Sequence, residues 1–67
     1  MPQFRVINGV RVLTILAPCR SCARRVAVEH VAPHEPTAPW RDPEVTKVEL
    51  AGPDPRQGTK VLLDEGC

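Results

Sequence analysis

The sequence predicts a small, mainly β fold: a five-stranded open barrel or curled antiparallel sheet, with a Cys-x-x-Cys turn and a proline-rich arm. Three observations predict it. Asn8-Gly9 stands between two runs rich in β-branched residues, the sequence form of a tight hairpin. Residues 45–51 alternate apolar and charged, the period of a half-buried strand. Residues 33–43 carry so many prolines that they suit neither a helix nor an interior strand.

Phe4 to Ile7 and Val10 to Leu16 are the two arms of the first hairpin. A type I′ turn at Asn8-Gly9 would place Ile7 opposite Val10, Val6 opposite Arg11 and Phe4 opposite Leu13. The second arm is apolar on both faces, with Leu13 and Ile15 on one and Val12 and Leu16 on the other. That pattern belongs to an interior strand.

Pro18 ends this strand and Cys19-Arg20-Ser21-Cys22 makes a tight turn. Residues 24–31 fit two periods. As a strand they align Val26, Val28 and His30; as a helix they group Ala23, Val26, Ala27, His30 and Val31. The β-branched Val26 and Val28 and the want of a good N-cap favour the strand. In the arm, Pro33, Pro36 and Pro39 recur every third residue, the repeat of polyproline II. His34, Thr37 and Trp40 would share another edge of it. Val45 to Ala51 then turns Thr46, Val48 and Leu50 inward, residues 52–58 form a loop of turn residues, and Thr59 to Asp64 is the last strand, pairing with residues 45–51 as a second hairpin.

Length limits what such a fold can do. The 67 residues form one small β-rich domain, and chains of about 60 residues bury only roughly 60% of their unfolded surface. Although 42% of residues are hydrophobic, there is one Phe, one Trp and no Tyr. The core must be thin, so a staple or a partner surface is expected. No Ser-His-Asp grouping, phosphate-cradling loop or dinucleotide signature is present. The expectation is therefore a non-enzymatic protein.

Net charge is +1, which gives no strong field toward membranes or nucleic acid. The distribution is uneven: residues 1–30 carry +4 and residues 31–67 carry −3. Such asymmetry suits packing against other subunits. Met1 to Gly9 has no apolar core of a signal peptide, so the chain is expected in the cytoplasm or within an assembled particle.

The cysteines, Cys19, Cys22 and Cys67, are odd in number, which does not suit a disulfide framework. Two thiolates on one turn can hold two corners of a zinc tetrahedron, and Cys67 with His34 would fill the others, making one structural zinc site. Residues 17–23 in this respect resemble one half of a zinc ribbon. A second resemblance runs to about residue 32. An apolar strand, Pro18, Cys19-Arg20-Ser21-Cys22 and a possible helix look like the start of the thioredoxin and glutaredoxin fold. That resemblance implies a Cys19 thiolate activated at a helix start, with Arg20, Arg24 and Arg25 helping.

Trp40 is either a lid over the thin core or an anchor for a partner, with Arg41, Pro36 and Pro39 beside it. The leading expectation is a structural or interaction protein, a minor subunit of a larger assembly such as a virus particle, partnered by other protein subunits. A zinc-stabilised nucleic-acid binder using Arg11, Arg20, Arg24 and Arg25 is one alternative. A dithiol oxidoreductase using Cys19 and Cys22 is the other.

Overall fold

Gly9 decides where the first hairpin turns. In the computed structural model, which describes residues 1–66, Gly9 has φ +58 and no described non-glycine residue has a positive φ. Strand β1 (Gln3–Asn8) pairs antiparallel with strand β2 (Arg11–Leu16), placing Asn8 opposite Arg11, Val6 opposite Leu13 and Phe4 opposite Ile15. The turn residues are thus Gly9 and Val10, one place later than the type I′ expectation. Positive φ at the first position only, on a glycine, is the sign pattern of a type II′ turn, which suits strand twist equally well. Each partner moves by two residues, so the residues sharing a face are unchanged. Phe4, Val6, Leu13 and Ile15 are all buried on one side.

Strand β3 (Thr46–Gly52) pairs antiparallel with β1, and strand β4 (Lys60–Glu65) pairs antiparallel with β2. The order across the sheet is β3-β1-β2-β4. The doubly apolar β2 is interior, as its sequence requires. The last two strands were expected to form a second hairpin, but they lie at opposite edges. Residues 53–59 carry the chain between them past the end where β1 starts and β2 stops. There the Met1 ammonium donates to the Asp54 carbonyl at 2.8 Å, and Gln3 Nε2 donates to Asp54 Oδ2 at 2.6 Å. A barrel would need β3 to meet β4. The four-stranded sheet stays open.

The expected fifth strand is a helix, α1 (Arg20–Val31). Ala23, Ala27 and Val31 recur every four residues and are buried against the sheet face carrying Phe4, Val6, Leu13 and Ile15. Helix cost at the three β-branched valines, Val26, Val28 and Val31, is a few tenths of a kcal/mol each. Burying one Val- or Leu-sized side chain returns about 1.5–3 kcal/mol. Packing outweighs propensity here, and the two alanines let the helix approach closely. Val28, the residue that fitted the helix pattern worst, is half-exposed at the margin of the core.

The polyproline arm is also corrected. Residues 38–41 form a single helical turn, α2 (Ala38–Arg41), with Thr37 at its N-cap. Pro39 sits in the first turn, where its missing N–H has no helical acceptor to lose. The turn drives Trp40 into the core, where it is 1% exposed. In a chain with so few large apolar side chains, the single Trp is the best available filler. Thr46 locks this segment to the sheet: its buried hydroxyl donates to the Pro39 carbonyl at 2.7 Å and accepts from Asn8 Nδ2 at 2.9 Å. No helix among the described residues is long and apolar enough to cross a membrane.

Candidate dithiol site

Strand β2 ends in the core at Ala17, and Pro18 stops it. Cys19 is then the N-cap of α1, with extended backbone at φ −158 and ψ 171. The first amides of a helix lack carbonyl partners and carry the positive end of its dipole. Cys19 is exposed at that end. Cys22, one turn on, is half-buried against the core. The two sulfurs lie 3.2 Å apart as free thiols, and Ser21 Oγ also lies 3.2 Å from Cys19 Sγ.

This arrangement makes the two thiols unequal. The Ser21 hydroxyl, then the Cys22 thiol and backbone amide, bring the Cys19 thiol down to about 7. Cys22 moves the other way: its hydrogen bond with Cys19, its burial and the nearby Cys19 charge hold its thiol above the ordinary value, although Arg25 opposes this. Near neutral pH about half of Cys19 is thiolate, the nucleophilic form. Cys22 stays protonated and can donate to it.

Of the expected metal set, the fold brings Cys19 and Cys22 together and separates His34 from them. The 12 residues of α1 rise about 18 Å along its axis, and His34 lies beyond the far end. His30 also sits at that far end, with Nε2 2.9 Å from Asp64 Oδ2. Cys67 lies outside the described residues. Among the described residues no group of three or more His, Cys, Asp and Glu side chains is placed to hold a metal ion.

The expected partner-binding set is split by the surface. Pro36, Pro39 and Arg41 are exposed while Trp40 is buried in the core. Of the arginines assigned to nucleic acid, Arg11 is bound to Glu35 at 2.6 Å and Asp64 at 3.0 Å. Arg24 Nη1 donates to the Trp40 carbonyl at 3.0 Å. Arg20 and Arg25 are exposed on α1.

Sequence reasoning missed two features. Ser21 lies inside the Cys-x-x-Cys spacing, and a hydroxyl two residues after a helix-capping cysteine was a readable signal. The second is a groove of about 660 Å³ beside the dithiol, with Arg20, Ser21 and Arg24 of α1 on one wall and Lys47–Glu49 of β3 on the other. It required the edge position of β3, which no local pattern reveals.

No protein-family model, no curated protein and no solved structure matches this chain.

Proposed function

We propose that the chain is a small thiol–disulfide exchange protein whose reacting pair is Cys19 and Cys22. The observation that carries this reading is the inequality of two sulfurs 3.2 Å apart: an exposed, acidified Cys19 beside a protonated Cys22. Exchange needs only an accessible sulfur, so a thin core is no obstacle to it.

The Cys19 thiolate attacks one sulfur of a partner disulfide. A Cys19–partner S–S bond forms, the partner's own S–S bond breaks, and one partner thiolate leaves. That thiolate takes up the Cys22 proton. The Cys22 thiolate then attacks Cys19 Sγ, closing the Cys19–Cys22 disulfide and releasing the second partner thiolate. One dithiol is oxidised and one disulfide reduced.

The test uses protein carrying Cys67→Ser, with thiol counting and elemental analysis first. Two titratable thiols, turnover of a small disulfide and its loss in Cys19→Ser support exchange. One equivalent of zinc with masked thiols would replace this reading with a metal site shared with another chain.

A second reading, a subunit of a protein assembly, is favoured by the sheet face opposite α1. Ile7 pairs with Val12 there, and Thr14 pairs with Leu63, which is 51% exposed. Light scattering tests it: a monomeric mass at all concentrations, alone and with candidate subunits, removes it.

A further inference from the structure

Resting on the exchange reading, we infer that the disulfide partner docks as an extended acidic peptide added to the outer edge of β3, in the groove beside Cys19.

The groove's shape points to main-chain pairing. Lys47, Val48 and Glu49 are consecutive, and consecutive strand side chains point to opposite faces. A cavity bordered by all three therefore reaches the β3 main chain as well as the Val48 side chain. Among the described residues β3 pairs with β1 on one side only, which leaves its outer N–H and C=O groups without a sheet partner there. An added strand is a common way to satisfy such an edge.

The charge selects the occupant. Arg20, Arg24 and Lys47 line the groove against Glu49 alone. Asp42 and Glu44 lie outside its lining, and Asp42 Oδ1 accepts from the Glu44 amide at 2.9 Å. The opposite edge differs. On β4, Lys60 stands at one end and Glu65 at the other, and Asp64 is already paired with Arg11, so that edge offers an acidic strand no matching excess of positive charge. Ser21 joins groove to dithiol, because it lines the one and contacts Cys19 in the other. A peptide lying along β3 would therefore present its cysteine near Cys19.

The test compares two synthetic peptides of equal length, one rich in Glu and Thr and one rich in Lys and Thr. Each carries one cysteine as a mixed disulfide with 2-mercaptoethanol. Protein with Cys67→Ser should reduce the acidic peptide at least about tenfold faster at low salt, the scale of electrostatic steering. The preference should collapse in about 1 M salt, where screening acts within about 3 Å. N-methylating alternate amides of the acidic peptide should slow its reduction several-fold, and Lys47→Glu should shrink the preference. In a second arm, protein with all three cysteines changed to Ser is titrated with the acidic peptide carrying Ser for Cys. Amide shifts should fall on Lys47–Leu50 and Arg20–Arg24.

Equal rates for both peptides, indifference to N-methylation, or shifts confined to β4 or the open sheet face would overturn the inference and leave exchange standing. Concentration-dependent pairing of β3 between two copies without peptide would also overturn it. Shifts on β3 with no exchange by any variant would instead remove the exchange reading and keep the docking edge.

Discussion

Trp40 Nε1 donates a 2.7 Å hydrogen bond to Glu35 Oε1, and Arg11 ties both residues to the sheet. Arg11 Nη1 reaches Glu35 Oε2 at 2.6 Å while its guanidinium carbon lies 5.6 Å from the Trp40 ring centroid. The indole is thereby held at three points: packed on its face, bonded at its nitrogen and covered by a cation. A partner-binding anchor would have its ring free.

Trp40→Ala should unfold the isolated chain. Removing a buried Trp costs about 3–5 kcal/mol. A chain this size has a total stability of only about 3–10 kcal/mol. Trp40→Phe, which keeps most of the volume, should remain folded but be weakened through loss of the indole bond. Urea unfolding followed by circular dichroism distinguishes them; a fully stable Trp40→Ala would return Trp40 to the anchor role.

Thr46→Val should cost about 1–3 kcal/mol despite its equal size, because the Pro39 carbonyl and Asn8 amide both lose their partner. Thr46→Ser keeps the hydroxyl and should recover much of the loss. Denaturation midpoints of the pair provide the comparison.

Acid should destabilise the protein. Glu35 is held below its ordinary value by the Trp40 indole and then by Arg11. Asp64 is lowered by His30 and then by Arg11, and Asp54 by the Arg56 side chain. Unfolded carboxylates take up protons around pH 4 while the folded ones resist. The unfolded state then binds more protons, so stability falls as pH falls. The contribution is complete above about pH 5 and is lost on descending through the folded values. Melting temperatures between pH 7 and 2 should show a plateau and then a decline, shallower in Glu35→Gln.

Alkylation of Cys19 by iodoacetamide should rise with pH to a midpoint of about 7, well ahead of Cys22. Ser21→Ala should move that midpoint upward, because the Ser21 hydroxyl is the largest influence lowering it. Mass spectrometry of protein carrying Cys67→Ser gives the site-resolved rates. Equal profiles for the two cysteines would remove the asymmetry on which exchange depends.

Local pattern made the first hairpin, the interior character of β2, the alternation of β3 from Thr46 to Glu49 and the final strand readable, because each depends on neighbours two to seven residues apart. Leu50, expected inward, is 56% exposed. It misplaced the turn by one residue. Asn-Gly suits a type I′ turn, yet Asn8 is used as a strand residue whose amide reaches Thr46 across the sheet. Residues 24–31 were ambiguous for a related reason. Their valines favour a strand, and only an uncovered apolar sheet face makes the Ala23-Ala27-Val31 stripe decisive.

The sequence alone determined the chemistry on offer: two thiols three residues apart after a proline-stopped strand, a single Trp among prolines and a thin core. Tertiary structure decided how that chemistry is arranged. It placed Cys19 at the start of a helix, removed His34 to the far end, sank Trp40 under Arg11 and left the β3 edge open beside the dithiol. Spacing along a chain fixes which atoms are near in sequence. Burial of one sheet face against one helix fixes which become near in space.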